Sequence, residues 1–159
     1  MKRFIFGSSG AVQRAAEKYE PIKSMVEARL DDIPDPRPVV SHLDPPWPHA
    51  MDGVGKTAGE AMARLFSETH GSAIVVRIGR VRAKNRPANA RGVSVYFSHR
   101  DVEQMFEKCV DAPGDVKWDV FYGVSDNFTR FRDISHAEEV IGYVPADGIK
   151  DWPWKKPGS

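Results

Sequence analysis

Between Met51 and Gly79 an amphipathic segment runs straight into a short apolar one, and this pairing constrains the fold more than any other feature of the chain. Gly55 and Lys56 open the first segment, and Ala58, Ala61, Met62, Leu65 and Phe66 recur every three or four residues. That period predicts a helix with these side chains on one buried face. His70-Gly71 supplies a stop, because glycine tolerates the left-handed backbone in which helices commonly end. Ala73 to Val76 then reads as a strand continuing into Arg77-Ile78-Gly79, apolar on both faces and therefore expected inside a largely parallel sheet. The fold class that follows is α/β.

A chain of 159 residues with 41% hydrophobic content can build one domain with a real core. We read residues 1–159 as a single α/β unit, with a proline-rich loop at 31–50 and a loose tail at 151–159. The formal net charge of +1 creates no global field for nucleic acid or membrane. Cys109 is the only cysteine and falls within an apolar helical pattern, as a small buried side chain would. No segment approaches the roughly twenty apolar residues that cross a bilayer, and a cytoplasmic location is expected.

Arg3 to Phe6 reads as the first strand, with Gly7-Ser8-Ser9-Gly10 as a polar turn at its carboxyl end, where open α/β sheets place their ligands. Residues 11–30 carry a helical pattern interrupted near Pro21. Six prolines between 34 and 48 exclude regular structure there, and Trp47 among them predicts one docked anchor. Beyond Gly79, Arg80, Arg82, Lys84, Arg86, Arg91 and Arg100 follow Arg77 with no acidic residue before Asp101. Such a run is either a solvated loop or an anion site, since guanidinium pairs bidentately with carboxylate and phosphate. Ser98 or His99 is expected to cap a helix through Val102, Met105, Phe106, Cys109 and Val110. Val120 to Val124 reads as a further strand, and Ser135 to Ile141 as a short helix ended by Gly142.

Several of these stretches resemble one family when taken in order: Phe6-Gly7-Ser8-Ser9, Gly53-Val54-Gly55-Lys56 with Gly59-Glu60, Val76-Arg77-Ile78-Gly79, and Asp133 through Ser135, Ala137, Ile141-Gly142-Tyr143 to Pro145. They resemble NAD-dependent epimerase/dehydratases, which are extended short-chain dehydrogenases. Arg91 followed by Tyr96-Phe97-Ser98-His99 and Asp101 looks most like the uronate dehydrogenases in that group. The resemblance implies the C-terminal part of a Rossmann-type fold, with the first βα units and their Gly-x-x-Gly-x-x-Gly turn missing. It implies NAD or NADP as cofactor, with binding by this chain alone in question.

The resemblance also implies roles. Ser9 matches the serine that hydrogen-bonds the reacting hydroxyl, Lys56 the catalytic lysine that binds the nicotinamide ribose and lowers the pKa of a tyrosine phenol, and Arg91 the arginine that holds a sugar carboxylate. Four residues before the lysine the family carries a catalytic tyrosine, and here Asp52 stands in its place. Arg80 and Gly10-Ala11 are further departures from the uronate dehydrogenase pattern. A dehydrogenase half completed by a cofactor-binding chain, a catalytically silent binding or subunit-interaction module, and an anion- or nucleic-acid-binding module are the functions these residues allow. A homodimer through the helix opened by Lys56 is expected, with a sugar or sugar acid as ligand and no nucleic acid or membrane partner. No metal site is expected from His42, Asp44 and His49, whose spacing matches no common ligand set. His99 reads as a cap, His70 as a helix-end residue and His136 as a surface side chain.

Overall fold

The computed structural model describes residues 3–151, so the expected tail lies outside the described residues apart from Asp151. β1 (Arg3–Ser9) leads into a 3-10 segment over Gly10–Lys18 and then α1 (Ile22–Glu27). After the proline-rich loop come α2 (Met51–Thr69), β2 (Ser72–Ile78), α3 (Ala90–Ser94), α4 (His99–Val110), β3 (Trp118–Gly123) and α5 (Ser135–Ile141). The described strands form one parallel sheet in the order β1-β2-β3, with Phe6 beside Val75 and Val75 beside Val120. Parallel neighbours require crossovers, and the segments containing α2 and α4 supply them.

Alternation along β2 divides the core. Ala73 and Val75 face α2 with Phe4, Phe6, Ala63, Phe66 and Val120, while Ile74 and Val76 face Met105, Cys109, Phe121, Ala137 and Ile141. A third cluster, Ile22, Met25, Val40, Val95 and Phe131, packs the irregular segments into a small lobe. No described helix is long and apolar enough to cross a membrane.

The helix α2 forms where its period predicts, but with the opposite face inward. Met62 is 73% and Leu65 63% exposed, and Ala58 and Ala61 are exposed with them, whereas Gly53, Glu60 and Ala63 are buried and Phe66 half-buried. Close approach explains the choice. A side chain at Gly59 would strike the Phe6 ring and one at Gly53 the backbone of Ala11, so the small residues let α2 lie against β1 and the first 3-10 segment. Glu60 goes inward because Arg77 meets it there.

Other boundaries also move. Gly7, Ser8 and Ser9 belong to β1 rather than to a turn, because each pairs with β2. The 11–30 segment is 3-10 and then α-helical, broken at residues 19–21. α3, unexpected from the sequence, is one short turn capped by Asn89, whose side chain accepts from the Gly92 N–H at 2.8 Å. Ser98 caps α4 by accepting from the Asp101 N–H at 3.1 Å, and Gly142 closes α5 at φ 66°. The proline-rich loop is docked by Trp47, which stacks on Tyr19 at 5.0 Å and exchanges backbone hydrogen bonds with Val12 and Ala15.

Candidate active site

At the carboxyl ends of all three strands, the last ladder residues and those that follow them enclose a small pocket. Ser9 and Gly10 come from the end of β1 and just beyond it, Ile78 to Arg80 from the end of β2 and just beyond it, Tyr122 from β3 and Val124 from just after it. Asp52 enters from the first turn of α2, Arg91 from α3, and Arg14 and Arg132 from the irregular lobe. The pocket measures about 100 Å³. That is small beside the ~300–1,000 Å³ of a typical small-molecule site.

Of the residues singled out from the sequence, Ser9, Asp52 and Arg91 meet in this pocket, and Lys56 does not line it. The Lys56 ammonium donates to the Gly7 carbonyl at 2.7 Å and lies 5.4 Å from the Phe6 ring centre. Because it stands one helical turn from Asp52, the two share a face of α2, but the lysine reaches back along β1 instead of forward. The Ser9 hydroxyl oxygen accepts from the Ala11 N–H at 3.1 Å, which leaves its proton free to donate into the pocket. Asp52 accepts from the Gly53 N–H at 2.8 Å and is exposed.

Arg91 is not a free guanidinium awaiting a carboxylate. Glu17 already occupies it through two hydrogen bonds, Nε to Oε2 and Nη2 to Oε1, the second at 2.8 Å. The basic run likewise divides. Arg77 is buried and paired with Glu60, Arg100 pairs with Asp147 on the surface, and Arg80, Arg82, Lys84 and Arg86 are exposed.

Beneath the pocket lies a polar stack invisible to local pattern. Arg77 donates from Nε and Nη2 to the two oxygens of Glu60 at 3.0 and 2.8 Å, and Ser8 donates to the same carboxylate at 2.5 Å. The Tyr122 hydroxyl lies 3.3 Å from Arg77 Nη1 and 3.5 Å from Arg132 Nη1. Arg132 is almost fully buried, donates to the Gly10 carbonyl at 3.0 Å, and stands 3.8 Å from Glu17. Burial lowers its pKa, opposed by Tyr122 and Glu17. Five arginines therefore line the pocket, with Asp52 as its only lining carboxylate and Glu17 and Glu60 pairing behind. The site favours anions.

Two of the strand-end glycines, Gly79 and Gly10, do not offer a cradle for a dinucleotide's pyrophosphate. A pyrophosphate needs bare glycine backbone at a helix N-terminus. Gly79, at the end of β2, is closed instead by its own chain, since a side-chain carbon there would come within 2.5 Å of the Val95 carbonyl and 2.7 Å of Val124. Gly10 is followed by 3-10 structure and faces the Arg132 guanidinium.

No family model matches the chain. It is 31% identical, over 98% of its own length and 57% of the relative's, to an NAD-dependent glucose-6-phosphate dehydrogenase of Haloferax volcanii. It is also 31% identical, over 92% of its length and 46% of the relative's, to a uronate dehydrogenase of Pseudomonas syringae pv. tomato. Among solved structures, a mutant uronate dehydrogenase of Agrobacterium tumefaciens complexed with NAD matches 92% of this chain and 47% of that one, at a TM-score of 0.72 and 28% identity. The chain thus spans about half the length of the proteins it matches, and its α/β sheet is part of a Rossmann-type fold.

Proposed function

Since the chain belongs to the extended short-chain dehydrogenases of the NAD-dependent epimerase/dehydratase type, we propose that it supplies the substrate-facing part of an NAD(P)-dependent oxidoreductase acting on a sugar or sugar acid such as a hexuronate. The observation that carries this is the pocket at the strand ends, where Ser9, Asp52 and Arg91 meet among Arg14, Arg77, Arg80 and Arg132. A cluster of guanidiniums beside a hydroxyl donor suits a substrate with both an anionic group and an alcohol.

In this reading Ser9 donates to the hydroxyl being oxidised and Asp52 accepts the proton that leaves it. Arg91 holds the anionic group once Glu17 yields, and Lys56 braces β1 through Gly7 at the side where a nicotinamide ribose would approach. Hydride acceptance belongs to NAD or NADP, and the roles assigned to this chain end at the substrate. Formation of NADH is the test. The chain is mixed with a separately expressed cofactor-binding half of a uronate dehydrogenase and offered hexuronates, neutral hexoses and phosphorylated hexoses. Oxidation of an anionic sugar only in the mixture supports the reading, and no oxidation of any sugar in either setting removes it as an enzyme.

A second reading, a silent binding or subunit-interaction module, is favoured by the occupied fork of Arg91 and by aspartate where the family carries tyrosine. In either case the outward stripe of α2, Val54, Ala58, Ala61, Met62 and Leu65, supports a homodimer. It is apolar, continuous over three turns and left uncovered by the described residues.

A further inference from the structure

Outside the lining of the pocket, the proline-rich loop carries His42 against His136 of α5 and Asp119 of β3. The imidazoles stack with centres 3.9 Å apart and planes 13° apart. His136 Nε2 lies 2.7 Å from Asp119 Oδ1, and one donor atom from each of the three residues lies within 4.8 Å of the others. No other group of this kind occurs among the described residues. His136 is therefore half-buried in a cluster rather than a surface side chain. His42 is drawn in by tertiary structure, without the neighbours Asp44 and His49.

His42 Nδ1 is buried and has no hydrogen-bond partner. An orphan ring nitrogen is costly unless something binds it.

We propose that His42, Asp119 and His136 form a binding site for a divalent transition-metal ion of the zinc class, separate from the strand-end pocket. Two imidazole nitrogens and one carboxylate oxygen are a donor set that Zn²⁺ accepts, with a fourth position left for water. Nearly parallel rings aim their lone pairs side by side, so one ring must turn before both reach a single ion. His42, on a loop, is the one with freedom to do so. The site would staple that loop to β3 and α5. The loop's Ser41 and His42 carbonyls accept from the Tyr122 hydroxyl at 3.4 Å and from Arg77 Nη1 at 3.5 Å, so the ion would also fix one wall behind the pocket.

The test is titration of the full chain with Zn²⁺, by calorimetry and by thermal unfolding. One equivalent should bind with micromolar or tighter affinity and raise the unfolding temperature, since an ion held only by the folded state stabilises it. His42→Ala and His136→Ala should each weaken binding by about tenfold or more and abolish the thermal shift. His49→Ala should change neither. His42→Ala is the decisive variant because its loop position spares the core, and it should also erase the visible absorption of a four-coordinate Co²⁺ complex. Absence of saturable binding, or one equivalent retained in His42→Ala, would overturn the assignment.

Discussion

Arg91 and Glu17, far apart in the chain, face each other fork to fork behind the lining of the pocket, joined by two hydrogen bonds. In the proposed function a sugar acid held by Arg91 displaces Glu17, whereas an anion that reaches Arg14 and Arg80 instead does not.

Glu17→Gln should accordingly tighten hexuronate binding roughly tenfold, because a neutral amide competes less well for the guanidinium. Binding of the corresponding neutral hexose should stay within about twofold, on the same basis. Arg91→Ala should cost the sugar acid ~1.5–3 kcal/mol more than it costs the neutral sugar. Calorimetric titration of the three proteins with both sugars measures these differences. Equal changes for the two sugars would make the pair purely structural.

The Arg77–Glu60 pair beneath the pocket is expected to behave as a buried ion pair. Removing one partner by Glu60→Ala should destabilise the fold by ~3–5 kcal/mol, because it strands a guanidinium in the core. Replacing both, Glu60→Leu with Arg77→Met, should cost less than the single change despite losing more hydrogen bonds. Urea unfolding of the three variants separates the cases.

Much of the scaffold was legible because its signals are local. Ser98 ahead of α4, Gly142 behind α5 and the apolar run of β2 each carry their reason within a few residues. The buried face of α2 was not legible, since hydrophobicity points to Met62 and Leu65 while close packing selects Gly53, Gly59 and Ala63. Ser9, Asp52 and Arg91 were legible as site candidates only through an ordered resemblance. Glu17, Arg132 and Tyr122 were missed because partners so distant in sequence leave no spacing to read. Gly59-Glu60 followed by Arg77 was the one available hint of the buried pair.

For α2, the outward stripe predicts self-association. Met62→Lys with Leu65→Lys should shift the protein from dimer to monomer in light scattering while leaving its helical signal unchanged, since both side chains point to solvent. A wild-type protein that is monomeric at high concentration would remove the stripe as an interface.

Cys109 supplies a pH signature. Burial pushes its thiol up from an ordinary 9.0 to about 12. A raised folded-state value means that the unfolded chain loses its proton first, so the stability that this thiol contributes is full below about pH 9 and falls as pH rises toward 12. Alkaline unfolding should be shallower in Cys109→Ala than in the wild type, and the native thiol should react with a disulfide reagent only on unfolding. Rapid labelling of the folded protein at neutral pH would contradict the burial.

Restoring the family's tyrosine tests the assignment of Asp52. In Asp52→Tyr a phenol stands one turn before Lys56 on the same helix face. With a cofactor-binding half supplied, this variant should oxidise a hexuronate at least about tenfold faster than the wild type, as expected for a general base brought nearer its working pH. An unchanged rate would mean that Asp52 is not the residue limiting proton transfer.

The most direct measurement of the central claim needs no cofactor. Amide resonances of the full chain are followed by NMR while D-glucuronate, and separately D-glucose, is added. Saturable shifts at Ser9, Gly10, Gly79 and Arg91, stronger for the sugar acid, are the predicted result. Shifts confined to other surfaces, or equal responses to the two sugars, would contradict an anionic-sugar pocket at the strand ends.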